Sequence, residues 1–117
     1  MDSKDIAIKA AKILNDKKAI DVVLIDIEKK SSFADYFVIA SGGTERQVKA
    51  LAEELEENLA KKESILVRSI EGQANSGWIL LDYGDVIISV FSKEQRERYQ
   101  IEKIWGDGIF IEPEEYI

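Results

Sequence analysis

The chain has 117 residues, 45% of them hydrophobic, which suits one globular domain with its own core and leaves too little length for two. It contains neither cysteine nor histidine, which excludes disulfides, zinc sites built on thiolate or imidazole, nucleophiles activated by histidine, and imidazole pH switching. The formal charge is -7, from 23 acidic against 16 basic residues. That balance argues against broad binding to phosphate backbones, whose affinity comes from cations releasing counterions, and favours a basic protein partner, although it also serves plain solubility.

The opening Met1-Asp2-Ser3-Lys4-Asp5 carries both signs of charge and has no signal-peptide core, and no apolar run approaches the length of a membrane span. A cytoplasmic protein without a membrane partner is expected. From Ser3, read as a capping serine, to about Lys18, Ile6, Ala10, Ile13 and Leu14 recur at helical spacing and predict an amphipathic helix. Ile20 to Ile27 is too apolar and β-branched for a surface helix and predicts a strand covered on both faces. Tyr36 to Ala40 predicts a second strand, closed by Ser41-Gly42-Gly43.

Thr44 with Gln47 forms a capping-box pattern, and Val48, Leu51, Ala52, Leu55 and Leu59 then trace one helical stripe. Beyond it, Ile65 to Ile70 predicts a third strand, Glu71 to Gly77 a loop, and Trp78 to Asp82 and Val86 to Phe91 two strands joined by a tight turn at Tyr83-Gly84. In extended geometry Trp78, Leu80 and Asp82 share one face of their strand, and Ile79, Leu81 and Tyr83 the other. Ser92 with Gln95 repeats the capping pattern and opens a third helix carrying Tyr99, Ile101, Ile104 and Trp105, which Gly106 and Gly108 end. The whole reads as an α/β domain over residues 1–106, a mixed five-stranded sheet with three helices, followed by an acidic C-terminal tail over residues 107–117.

Few groups invite chemistry. Ser41-Gly42-Gly43-Thr44 joins a strand to a helix N-terminus, a place where phosphates bind, but it matches neither the dinucleotide fingerprint nor the P-loop, and a plain tight turn is the favoured reading. Asp82 and Asp85 flank the hairpin turn; paired carboxylates can hold magnesium, yet aspartates in hairpins more often shape the turn itself. Asp21 and Asp26 stand at the two ends of the first strand, where they could approach the same sheet edge as Asp35, but strand-end solvation is the favoured reading, with no Asp-x-Asp pair to clamp metal ions. Lys93, Arg96, Arg98 and Lys103 alternate with Glu94, Glu97 and Glu102, the pattern of a solvated, salt-bridged helix face. No catalytic residue, cofactor or metal is expected.

Three blocks carry a resemblance: Ser31-Ser32-Phe33-Ala34-Asp35-Tyr36-Phe37-Val38-Ile39, then Ser41-Gly42 through Arg46-Gln47-Val48, and Gly77-Trp78-Ile79-Leu80-Leu81-Asp82-Tyr83-Gly84-Asp85-Val86. With Arg96 and Tyr99 to Trp105 they make the chain resemble the Iojap, or ribosomal silencing factor, family over about residues 3–106. The resemblance implies a nucleotidyltransferase-like architecture without that group's catalytic acids. It also implies binding to a ribosomal protein on the joining face of the large subunit, so that the small subunit is kept away and translation is repressed. Ser89 stands where the family usually carries a histidine.

On this reading Trp78, Leu80, Leu81 and Tyr83 supply apolar contact, with Tyr99 beside them, and Asp82 and Glu102 match positive charge on a basic ribosomal protein. Little direct nucleic-acid binding is expected, and the likeness leaves room for a homodimer away from the ribosome. A magnesium-dependent nucleotidyl-transfer enzyme and a generic dimeric adaptor are the competing readings.

Overall fold

The computed structural model describes residues 2–29, 32, 34–100, 103 and 108–116. Helix α1 spans Ser3–Asp16, strands β1 and β2 span Ile20–Asp26 and Tyr36–Gly42, and helix α2 spans Glu45–Glu63. Strands β3, β4 and β5 cover Ser69–Gln73, Trp78–Asp82 and Val86–Ser92, followed by helix α3 at Lys93–Tyr99 and a short strand β6 at Ile109–Phe110. The strands form one sheet of six in the order β3-β4-β5-β2-β1-β6. Only the central pair, β2 and β5, is parallel; each of the other neighbours is antiparallel.

The N-cap of α1 is Asp2, whose carboxylate accepts the Asp5 amide at 2.9 Å. Ser3, expected as the cap, instead donates its hydroxyl to Asp35 at 3.0 Å. Ala7, Ala10, Ala11 and Leu14 line the buried stripe of α1, and three alanines let the helix backbone approach the sheet closely. Helix α2 buries Val48, Leu51, Ala52, Leu55 and Leu59 beside it. Lys9 and Glu63 join the two helices in a partly exposed ion pair at 2.7 Å, a contact worth no more than about 1 kcal/mol.

Both helices cover one face of the sheet, where Leu24, Val38, Ala40, Ile79, Leu81, Ile88 and Val90 form the larger core cluster. The opposite face carries a second cluster of Ile25, Ile27, Phe37, Ile39, Ile87 and Phe91, with Val23, Trp78 and Leu80 at its margin. The β1 pattern predicted cover on both faces, and Leu24 and Ile25 are indeed fully buried on opposite sides.

Two expectations shift. The third strand was read at Ile65 to Ile70, but the ladder begins at Ser69 and runs through Glu71 to Gln73, into the stretch read as a loop. Ile65 and Val67 pack against the helix-side core without joining the sheet. Strand β3 is polar because it is an edge, exposed along its whole length, so the hydrophobic pattern that marks a buried strand is missing there.

The acidic tail, read as an appendage, joins the body. Phe110 and Ile109 pair with Ile25 and Asp26, the Ile111 amide donates to Leu24 O, and Tyr116 is buried with its hydroxyl donating to Val22 O at 3.2 Å. This tail strand brings the sheet to six strands, against the five expected.

Candidate functional site: the open end of the second sheet face

Strand β4 lies between the edge strand β3 and the buried strand β5, so alternate residues meet very different surroundings. Ile79, Leu81 and Tyr83 point toward the helices, as the alternation predicted. Leu81 is 0% and Tyr83 8% exposed, so neither is open to a partner. This corrects their place in the expected apolar contact set: one strand cannot present consecutive side chains to one surface.

Trp78 and Leu80 lie half-buried on the opposite face. There the Trp78 ring stacks on Phe91 with centroids 5.0 Å apart, and Tyr99 from the end of α3 tilts against Trp78 at 5.4 Å and Phe91 at 6.5 Å. Tyr99 remains 50% exposed. A three-ring cluster thus ends in solvent at the β4 side of the sheet. Asp82 is half-buried and Asp85 exposed at the hairpin, at the opposite end of the β4–β5 pair from Trp78 and Phe91. Glu102, also expected in the contact set, lies outside the described residues, as do Ile101, Ile104 and Trp105.

Helix α3 is held over this face by Arg96. Its Nη1 reaches Ile20 O at 3.3 Å, Asp21 O, and Ser41 Oγ at 3.1 Å. These acceptors sit where β1 bulges between Ile20 and Val23 and Asp21 takes φ +48°, a left-handed conformation that most side chains avoid. Arg96 was read as part of a solvated face; it is half-buried and binds backbone oxygens more than seventy residues away in sequence. Nothing in the local sequence signals that contact.

Among the described residues, three buried side-chain polar atoms have no hydrogen-bond partner: Trp78 Nε1, Tyr83 Oη and Ser89 Oγ. Ser89 pairs with Ile39 on one side and Leu80 on the other, so the hydroxyl lies within the second face among aliphatic side chains. Burial, and then the nearby Glu56, push the Tyr83 phenol up to about 12. Burial, followed by Asp26 and Glu28, does the same to Tyr36.

The groups that invited catalytic readings are occupied locally. Thr44 Oγ1 accepts the Gln47 amide at 3.1 Å, and Gln47 Oε1 accepts the Gly43 amide at 2.6 Å, so the start of α2 is capped from within. Asp82 Oδ1 accepts the Gly84 amide at 2.8 Å, and Asp85 O accepts the amides of Asp35 and Tyr36. Gly84 takes φ +88° in this turn, which explains a glycine there. Asp21 and Asp26 stand at opposite ends of β1, and among the described residues no three acids converge as a metal site would require. Among the same residues no helix is long and apolar enough to cross a membrane.

The arrangement defines a class: a small mixed α/β domain with α1 and α2 on one face of a six-stranded sheet and a partly open aromatic cluster on the other. The family model described as "Ribosomal silencing factor during starvation" matches residues 1–116. The chain is 41% identical over 108 residues to ribosomal silencing factor RsfS of Bacillus subtilis, covering 92% of this chain and 91% of that one. It is 32% identical over 106 residues to the chloroplastic Iojap protein of Arabidopsis thaliana, covering 91% of this chain and 44% of that one. A crystal structure of a Chromobacterium violaceum protein superposes with a TM-score of 0.85 at 34% identity, over 91% of this chain and 88% of that one.

The chain belongs to the ribosomal silencing factor family. The relatives bear the names of regulators of the ribosome and not of enzymes, which agrees with the capped helix and the turn-forming aspartates.

Proposed function

We propose that this protein acts in the cytoplasm by docking on the large ribosomal subunit through the open end of the second sheet face. The patch of Trp78, Leu80 and Tyr99 grips a basic ribosomal protein on the joining surface, and the body of the domain then keeps the small subunit away by bulk. Translation falls because fewer ribosomes assemble, and no bond is broken.

One observation carries this reading: an aromatic cluster left half-open on an otherwise buried sheet face, with Glu71 lining the groove beside it and Asp82 farther along the same face of β4, in a chain of net charge -7. Aromatic anchors with a polar rim are the make-up of binding hot spots, and acidic rims steer basic partners. Leu81 and Tyr83 serve the core and leave the expected contact set, which keeps Trp78, Leu80, Asp82 and Tyr99, with Glu102 outside the described residues.

Co-sedimentation with separated ribosomal subunits tests the proposal. Migration with the large particle alone, together with fewer joined ribosomes when the protein is added before the small subunit, is the expected result. Unimpaired joining at saturating protein would end the occlusion mechanism.

A second copy is the other candidate occupant of an open surface, because β3 leaves one sheet edge bare while β6 covers the other. Sedimentation velocity across a concentration series measures that association directly.

A further inference from the structure

Between the edge strand β3 and the aromatic cluster runs a groove of about 350 Å³, at the small end of ligand-pocket volumes. Glu71, Gly72, Ser76, Trp78, Leu80 and Tyr99 line it. Glu71 pairs directly with Leu80 in the β3–β4 ladder, so its carboxylate stands on the same face as the aromatic cluster. A Cβ at Gly72 would come within 2.2 Å of the Trp78 backbone oxygen, and φ there is +85°, so the close approach of β3 to β4 beside the groove requires glycine.

We infer that this groove is a socket for one arginine side chain of the docking partner. The inference rests on the docking reading above and names the chemistry the partner must bring. A carboxylate and two aromatic rings lining one groove, with Glu71 the one charged group among the described lining residues, select a cation. The ring faces attract it and the carboxylate pairs with it.

Arginine fits better than lysine. Its planar guanidinium stacks on Tyr99 or Trp78 while its edge meets both oxygens of Glu71, and it sheds water more readily than an ammonium. The aliphatic part of the side chain would then lie over Leu80. The chain's net charge of -7 draws such a partner toward the site before contact.

The test uses the full chain labelled with nitrogen-15, with the Trp78 indole resonance assigned by its loss in Trp78→Phe. Titration with N-acetyl-arginine amide is expected to shift that resonance saturably in the millimolar range. The citrulline amide, neutral and of the same shape, should leave it unmoved, and Glu71→Gln should abolish the arginine response. Equal shifts from arginine and lysine amides, or from arginine and citrulline amides, overturn the arginine assignment.

Binding to purified large subunits is measured in parallel at low salt. Glu71→Gln is expected to weaken it about tenfold, equivalent to ~1.4 kcal/mol, and to flatten its dependence on salt. If Glu71→Gln binds as the parent does while Trp78→Ala does not, the socket fails and the docking face stands. If the parent itself does not bind large subunits, the docking reading fails, and the arginine titration still decides whether the groove takes a guanidinium.

Discussion

The two faces of this sheet are built from the same strands and both are apolar, yet they are finished differently. On the helix side the inward residues are mostly aliphatic, Leu24, Val38, Ile79, Leu81, Ile88 and Val90 among them, and α1 and α2 close over them. On the other side aromatic rings gather toward one end, and Trp78, Leu80 and Tyr99 keep part of their surface in water. On the docking proposal, apolar character alone does not mark the working surface; the mark is apolar character left partly exposed, in a groove with a charged side chain.

The contrast is sharpest at neighbouring leucines of β4. Leu81→Ala should cost about 2–5 kcal/mol of stability, because it empties a fully packed site. Leu80→Ala, on the half-open face, should cost less than about 2 kcal/mol. Urea unfolding of the two variants reads this directly, and equal losses would erase the distinction between the faces.

Trp78→Ala should weaken binding to large subunits by at least about 2 kcal/mol, roughly thirtyfold, in protein that still unfolds cooperatively. Unchanged binding would remove Trp78 from the anchor set and with it the centre of the proposed surface. Arg96→Ala should cost about 1.5–3 kcal/mol, since it leaves Ile20 O, Asp21 O and Ser41 Oγ without this charged donor. Hydrogen exchange should show the loss concentrated in α3 and the start of β1. Uniform loosening of the whole domain would contradict the role of Arg96 as a local tie.

The smallest effect belongs to the helix side. Tyr83→Phe should change stability by no more than about 1 kcal/mol at neutral pH, because the buried hydroxyl has no partner to lose. Its pH dependence has a definite sign. The Tyr83 phenol is raised from the ordinary value of 10.0 to about 12, so above pH 10 the unfolded chain gives up its proton while the folded one keeps it. The parent's stability is therefore fully present below pH 10 and declines as pH rises toward 12. Tyr83→Phe should flatten that decline in urea titrations at pH 9 and 11, leaving the part due to Tyr36, whose phenol is also raised to about 12.

Much of the fold was legible where local rules dominate. Strand β4 occupies Trp78–Asp82 as its alternation predicted, and Thr44 caps α2 through Gln47 as the capping box required. Legibility failed at β3 and β6, the two edge strands, for a common reason. An edge strand need not be apolar, so Ser69–Gln73 carried no periodic pattern, and Ile109–Phe110 is too short to carry one. The candidate site was half legible. Trp78, Leu80 and Asp82 were placed together by alternation, whereas Glu71 was assigned to a loop and Arg96 to a solvated helix face.

By itself the sequence determined what chemistry is absent, where helices begin, and which β4 residues share a face, because composition, capping and strand alternation act over a few residues. Only the tertiary structure decided which of two apolar faces α1 and α2 cover, that the acidic tail completes the sheet, and that Tyr99 closes against Trp78. Those outcomes depend on contacts between residues far apart in the chain, whose energies are settled by packing and not by any local pattern.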